Sequence, residues 1–393
     1  MARRNARSPG SASPAAASPG STAALRTANQ QRVLDVLRGG PSARHTQAEL
    51  ARLTGLAPAT VSNIVRELAG TGLVETEAGS GRRGSSVWIS RSAGLVAGVD
   101  FGHSHVAVAV GDLTGEIIAE ERQALEPTHA YDDSLKLAAA LLTGLAAGHA
   151  PVLRVGMGVP APISGGVVRA AGILPGWHNV DSLAAAEDAF GTPVDVENDA
   201  NLGALAEHRQ GVAQGHSSSV FVKLSSGVGA GIVLDGRIYH GASGTAGELG
   251  HLTLDEQGPP CRCGGRGCLE AYTSTANVLA MLSGQHPGAD FDDVVALARD
   301  GDASSRRALE DAGLHLGWGL AGVVNLLNPD LVVVGGDMAR AGELLLESAR
   351  IGLRRHALDA VALTPVLASE LGERASLVGA VLAAAERTQL AVG

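Results

Sequence analysis

The stretch Thr46-Gln-Ala-Glu-Leu-Ala-Arg-Leu-Thr-Gly-Leu-Ala-Pro-Ala-Thr-Val-Ser-Asn-Ile-Val-Arg-Glu-Leu68 reads as two short helices and the turn between them. Leu50 and Leu53 belong to a first helix that stops at Gly55. Leu56 fills the turn, and Pro58 suits the first position of a second helix, where its missing N–H is not needed. Val61, Ile64, Val65 and Leu68 then recur at i, i+3, i+4 and i+7, which gives one apolar face. The other face presents Thr60, Ser62, Asn63 and Arg66, side chains able to reach base edges and phosphates. Beyond it, Leu73 and Val74 start a strand, Gly79-Ser-Gly81-Arg82-Arg83-Gly84 makes a flexible basic tip, and Val87-Trp88-Ile89 returns. A helix-turn-helix with a basic wing is built to enter a major groove. Double-stranded operator DNA is therefore the expected partner, contacted by Thr60, Ser62, Asn63, Arg66, Arg82 and Arg83.

Charge agrees with this reading. Residues 1–95 carry twelve Arg against five Asp and Glu, a net of +7, which leaves −17 for the rest of a chain whose net charge is −10. A basic head on an acidic body suggests that only the head meets a polyanion. Residues 1–25 are Ala, Ser, Pro, Gly and Arg with almost no large apolar side chain, so a disordered arm is expected there. The winged helix-turn-helix is expected over 26–90. The chain shows no apolar run near the length of a bilayer span, and its N-terminus lacks the apolar centre of a secretory signal. A cytoplasmic protein without membrane contact is expected.

From 95 to 393 the pattern changes. Strand-like runs at 95–99, 105–110, 152–159, 194–196, 219–223, 231–233 and 331–334 alternate with helical stretches at 134–146, 200–210, 303–327, 339–356 and 377–389. Such alternation argues for an α/β architecture. A Gly-containing turn follows a strand twice, at Asp100–Ser104 and at 225–231, as two related lobes would require. With aromatics at 3%, the core must be packed mainly by Ala, Val and Leu, and the 53 glycines point to tight turns or close backbone contacts with ligands.

The three cysteines all fall in Cys261-Arg-Cys263-Gly-Gly-Arg-Gly-Cys268, ten residues after His251. Three thiols cannot pair off, whereas three thiolates and an imidazole are the donors that tetrahedral zinc prefers. A closed structural zinc site is expected at His251, Cys261, Cys263 and Cys268, its loop folded back by Gly264, Gly265 and Gly267.

Taken in order, six motifs make residues 95–393 resemble the ROK family (repressors, open reading frames and kinases), and the winged head resembles its repressor branch. The motifs are Gly156-Met-Gly158-Val-Pro-Ala-Pro162, Leu174-Pro-Gly-Trp177, Glu197-Asn-Asp-Ala-Asn201, Gly241-Ala-Ser-Gly-Thr-Ala-Gly-Glu-Leu-Gly-His251, the cysteine cluster ending Cys268-Leu-Glu270, and Asn328-Pro-Asp-Leu-Val-Val-Val-Gly-Gly336. The resemblance implies an actin-like, ribonuclease-H-like fold of two α/β lobes split near residue 200, with the C-terminal helix returning to the first lobe and a sugar or sugar phosphate in the cleft. It also implies that Asn198, Asp199, Glu248, His251 and Glu270 hydrogen-bond the sugar, and that Asp199 is the general base of any retained kinase activity. His251 would face zinc with one ring nitrogen and the sugar with the other.

The implied nucleotide site departs from the family pattern at one loop. Where the family has Asp-x-Gly-Gly-Thr, this chain has Asp100-Phe-Gly102-His103-Ser104, and a histidine replaces the glycine beside which a phosphate would lie. The second loop keeps Gly227 and Gly229, and the pair Gly335-Gly336 is also kept. The resulting expectation is a sugar-responsive regulator, most simply a repressor, that handles Mg-ATP poorly. An ATP-dependent hexose kinase is the alternative. Reading paired operator half-sites calls for a homodimer or homotetramer.

Overall fold

A computed structural model describes residues 22–39, 44–78, 85–126, 130–164, 167–168, 175–178 and 180–389. The wing-tip arginines Arg82 and Arg83, Leu174, and most of the expected arm lie outside these residues. The chain folds as two compact units, the first reaching to Ser90 and the second running from Arg91 to Gln389.

In the first unit, α1 (Thr22–Leu37) begins inside the segment expected to be a disordered arm. Ala23, Ala24 and Leu25 are strong helix formers, and further along the helix Val33, Leu34 and Leu37 are buried. The segment β1 (His45–Thr46) leads into α2 (Gln47–Thr54), which opens on a capping box. The Thr46 side chain accepts from the Glu49 N–H, and the Glu49 carboxylate accepts from the Thr46 N–H. The helix ends at Gly55 with φ +69°, and α3 (Pro58–Gly70) follows with Pro58 in its first turn. Val61, Ile64, Val65 and Leu68 are the buried residues of α3, as the spacing predicts. Strands β2 (Val74–Glu77) and β3 (Ser86–Ile89) complete a three-stranded sheet of order β1-β3-β2.

The second unit is built twice over on one plan. In its first lobe β4 (Leu95–Phe101), β5 (His105–Asp112) and β6 (Ile117–Ala124) form an antiparallel meander. Helix α4 (Tyr131–Ala146) then leads to β7 (Val152–Val159). A hairpin, β8 (Ile163–Ser164) and β9 (Val167–Val168), and helix α5 (Ser182–Phe190) precede β10 (Val194–Asn198). Strands β7 and β10 add in parallel, giving the order β10-β7-β4-β5-β6. Helix α6 (Asp199–Gln210) crosses to the second lobe. There β11 (Ser219–Leu224), β12 (Val228–Leu234) and β13 (Arg237–Ile238) form the second meander. Four helices follow: α7 (Glu270–Thr273), α8 (Thr275–Leu282), α9 (Phe291–Arg299) and α10 (Ala303–Leu327). Strand β14 (Leu331–Gly335), helix α11 (Glu343–His356) and strand β15 (Val366–Ala368) complete the lobe, in the order β13-β12-β11-β14-β15. The same arrangement, three antiparallel strands and two parallel ones, thus occurs in both lobes.

Helix α12 (Ala375–Arg387) packs against the first sheet and α6. Glycines set how close it comes. A Cβ at Gly156 would collide with the Ala380 carbonyl, and one at Gly379 with the Leu202 carbonyl. Gly379→Ala is therefore expected to cost about 1–3 kcal/mol or more through overpacking. Denaturant unfolding reads this directly, and an unchanged midpoint would contradict it. The helix expected from 339 starts later, because Asp337–Ala341 forms a 3-10 turn and Gly342 (φ +58°) breaks the run. In the aromatic-poor core, Trp177 is fully buried in the first lobe against Phe101, with ring centroids 4.9 Å apart.

Candidate functional site

On the winged helix, the apolar spacing of α3 leaves a polar face outward. Asn63 and Arg66 are exposed and joined by a 3.1 Å hydrogen bond from Arg66 Nη1 to Asn63 Oδ1, while Thr60 and Ser62 are half-buried beside them. Glu67, on the flank of α3, accepts from Gln30 Nε2 at 2.9 Å and from Arg26 of α1, so α3 is braced from behind. Arg44 stacks over Trp88 of β3 at 4.1 Å. Sequence reasoning passes over this bracing because its partners lie up to 41 residues apart.

In the second unit, the duplicated plan brings strand ends and turns together in one cleft. The β4–β5 turn supplies Asp100, Gly102, His103, Ser104 and His105, and the β10–α6 junction supplies Asn198 and Asp199. From the second lobe come Lys223, Ser225–Gly229 of the β11–β12 turn, Glu248, His251, Arg262, Glu270 and Gly336. All five residues expected at the sugar thus share one cleft. So do Asp100, Gly102, Ser104, Gly227, Gly229 and Gly336 of the expected nucleotide set. Gly335 does not line it. Its missing side chain makes room for the Phe221 ring, which lies 2.6 Å from where a Cβ would sit, so its role is packing.

Local structure decides how free each group is. Asn198 caps α6, its Oδ1 accepting from the N–H groups of Ala200 (2.9 Å) and Asn201 (3.2 Å), and its amide donates to the Ala161 carbonyl at 3.3 Å. Asp199 opens the helix, at the end whose dipole favours an anion. Its Oδ2 accepts from Lys223 Nζ at 2.7 Å, and Lys223 also donates to Ser376 Oγ at 3.1 Å. Burial opposes the charged form of Lys223, but Asp100 and Asp199 outweigh it and raise the ammonium above its ordinary range. Burial would likewise raise Asp100, yet Lys223 and then His105, whose Nε2 lies 3.7 Å from Asp100 Oδ2, hold it below the usual carboxylate range. Asp199 is pushed up, by burial first and by neighbouring Asp100, against the pull of Lys223.

Glu270 is engaged already. Arg262 meets it twice, Nε to Oε1 at 2.6 Å and Nη2 to Oε2 at 3.0 Å, and the Val228 N–H donates to Oε2 at 3.0 Å. Glu248 is the least committed carboxylate. Burial, then the charges of Asp199 and Glu270, push it up to about 7. It can meet a hydroxyl as acceptor or as donor.

His251, Cys261, Cys263 and Cys268 offer four ligand atoms, all within 4.8 Å of one another. Cys263 Sγ and Cys268 Sγ are 3.7 Å apart, and Cys261 Sγ is 3.8 Å from His251 Nδ1. A tetrahedron with metal–sulfur bonds of about 2.3 Å has edges of about 3.8 Å, so the donor set fits zinc. Gly267, at φ +62°, lets the loop turn where any Cβ would overlap the Asp255 carbonyl. The other ring nitrogen of His251, Nε2, lies 4.0 Å from Glu248 Oε2. The cysteine cluster and the cleft are thereby joined through His251 and through Arg262, which sits between two of the cysteines.

Lys223, His105 and Ser376 are among the cleft residues that lie outside the motifs, and Arg262 lies inside the cysteine motif, where the sequence gives it no role. Lys223 has a signal, since it is one of only two lysines in the chain and interrupts an apolar strand.

Comparison with known proteins matches this architecture. The ROK family profile matches residues 96–387, and a MarR family profile matches residues 26–84. The chain belongs to the ROK family, with a MarR-type winged helix at its N-terminus. It is 30% identical over 334 residues to the xylose repressor of Bacillus spizizenii, an alignment covering 83% of this chain and 86% of that protein. A solved ROK family transcriptional regulator, described as a homologue of the E. coli MLC protein, superposes with a TM-score of 0.75 at 26% identity, covering 91% of this chain and 95% of that one. A ROK family glucokinase from Streptomyces griseus, solved with glucose and AMPPNP, superposes with a TM-score of 0.68 at 30% identity. It covers 75% of this chain and 100% of the glucokinase. Among the described residues, no helix is long and apolar enough to cross a membrane.

Proposed function

We propose that this protein is a sugar-responsive transcriptional repressor, which binds operator DNA through α3 and the wing and takes its effector in the cleft of the ROK unit. The observation that carries the reading is the pairing of a polar, exposed Asn63–Arg66 face on a braced helix with a cleft lined by Asn198, Asp199, Glu248, His251 and Glu270. The relatives named as a xylose repressor and a transcriptional regulator support it, because each aligns over both units of the chain. Thr60 and Ser62 join Asn63 and Arg66 at the DNA, and Arg82 and Arg83 act from the wing. Zinc is held by His251, Cys261, Cys263 and Cys268. When bound it supplies a fixed positive centre that orders the loop and sets the ring of His251. Glu248 and Asp199 meet sugar hydroxyls directly, the spare amide hydrogen of Asn198 adds a donor, and Glu270, held in place by Arg262, accepts through its remaining lone pair.

Two copies of the chain would read two half-sites about 34 Å apart, and sugar would act by changing that spacing. The test is a thermal-unfolding panel of sugars and sugar phosphates, run beside titration of the gene's own upstream DNA. At least one sugar is expected to raise the unfolding temperature of wild type and not of Asp199→Asn, and the DNA is expected to bind with strong salt dependence. A panel with no stabilising sugar, or DNA binding no tighter than to random sequence, would refute the reading.

One observation favours a second reading, ATP-dependent hexose phosphorylation. Asp199 is buried in the cleft where a base would stand, and Gly227 and Gly229 are kept in the turn facing it. That reading predicts sugar-dependent ADP release with Mg-ATP, abolished by Asp199→Ala. Absence of ADP above that control removes it.

A further inference from the structure

Lys223 is unusual in this molecule. The chain has 28 Arg but only two Lys, and the other, Lys136, lies on the exposed side of α4. Lys223 instead follows Val220, Phe221 and Val222 in β11 and turns into the cleft. Groups from three other elements face it. Asp199 Oδ2 from α6 is 2.7 Å away and Ser376 Oγ from α12 is 3.1 Å away, while Asp100 from β4 lines the same cleft and its negative charge favours the ammonium. Ser376 in turn donates to the Asp199 carbonyl at 2.9 Å, so the acceptors around the ammonium are fixed. An arginine would bring a broad planar fork, whereas an ammonium is a compact point charge of the size such a gap holds.

Two buried carboxylates facing one cleft are also the donor set of a hard divalent cation, and phosphoryl transfer from a nucleotide uses such an ion to bridge the phosphates. We propose that Lys223 is a built-in cation filling the gap between Asp100 and Asp199, which commits the cleft to sugar without divalent metal or metal–nucleotide. The proposal rests on reading this cleft as the sugar site and adds the class of ligand it refuses. An ion coordinated to Asp199 Oδ2 would sit directly against the ammonium. Asp100 Oδ1 is buried with no hydrogen-bond partner among the described residues, so it is the oxygen through which a cation could still enter, and the test has to interrogate it. His103 in the β4–β5 turn works in the same direction, narrowing the space where phosphate would approach.

The test uses the full, zinc-loaded chain with Mn2+ alone as probe, following free Mn2+ by electron paramagnetic resonance. Wild type is expected to hold no Mn2+ in the cleft. Lys223→Ser is expected to gain one site per chain, roughly tenfold or more tighter than any in wild type, and to lose it again when Asp100→Asn is added. Lys223→Gln removes the charge while keeping a donor for Asp199 and Ser376, and it guards against a Ser variant too unstable to purify. For either variant, Mn2+ is also expected to raise the unfolding temperature while leaving that of wild type unchanged. Two results overturn the proposal. One is a wild-type Mn2+ site abolished by Asp100→Asn or Asp199→Asn. The other is indifference to Mn2+ in both Lys223 variants. Neither result depends on the sugar or DNA titrations, so failure here is distinct from failure of the repressor reading.

Discussion

Cys268→Ser is expected to purify with far less than one zinc per chain and to lose its response to sugar, while still binding operator DNA. The cluster has four donors within 4.8 Å and, among the described residues, no fifth to replace a missing one. A hydroxyl is a poor substitute for a thiolate toward zinc. Without the ion, two constraints on the cleft relax together. His251 is no longer held with one nitrogen toward the sulfurs and the other toward Glu248, and Arg262, between Cys261 and Cys263, no longer has a fixed backbone from which to clamp Glu270. Three of the five residues proposed to meet sugar thus depend on a loop that the metal orders. The winged helix is a separate compact unit with its own core, so its affinity for DNA should survive. Metal content by mass spectrometry together with a sugar thermal-shift measurement checks both halves. A Ser variant that keeps stoichiometric zinc, or responds to sugar without it, contradicts the proposed role of the cluster.

The second large effect is expected at the DNA. Replacing Asn63 and Arg66 together by Ala removes the two exposed polar side chains of α3 and leaves Val61, Ile64, Val65 and Leu68 in place. The fold of the head should therefore be unchanged, since its packing face is untouched and Ala favours helix. Removing a hydrogen bond to a base edge or a phosphate costs about 1–3 kcal/mol, so operator affinity should fall by roughly 100-fold or more for the pair. The dependence of affinity on salt should flatten as a phosphate loses its cationic partner. Fluorescence anisotropy at several salt concentrations measures both quantities. Unchanged affinity would place the DNA surface elsewhere.

Much of the fold is legible in the sequence because periodic patterns report burial directly. The apolar face of α3 can be read residue by residue, and the strand at 331–334 reads as a continuous apolar run, as does 152–159 beyond Arg154, which is how parallel strands buried on both faces look. Strand β6 escapes for the opposite reason. Its Glu120, Glu121 and Arg122 belong to a sheet edge, and an edge strand that faces water lacks an apolar signal. The short β15 gets its place from pairing with β14, a partner 34 residues earlier in register, which no local pattern reveals.

The glycines mislead in part. They read as turns and ligand contacts, and Gly227, Gly229 and Gly336 do line the cleft. Gly156, Gly335 and Gly379 instead let backbone and rings pack closely. A glycine spared for a neighbour looks the same in sequence as one spared for a phosphate. Within the cleft, identities are readable and engagements are not. Glu270 stands out as a candidate, but its clamp by Arg262 follows from the fold of the cysteine loop. Asp199 stands out too, while its salt bridge to Lys223 needs α6 and β11 to meet across 24 residues of chain.

The central claim is that sugar in the ROK cleft changes how the head holds DNA. The measurement is the dissociation constant of the full chain for its own upstream DNA, at one fixed salt concentration. It is taken with and without the sugar that most stabilises the protein, and repeated with Asp199→Asn. Coupling of about 1–3 kcal/mol predicts a change of roughly 5- to 150-fold in wild type, while Asp199→Asn binds DNA but gives the same value with and without sugar. Equal DNA affinity in wild type with and without a sugar shown to be bound would contradict the claim.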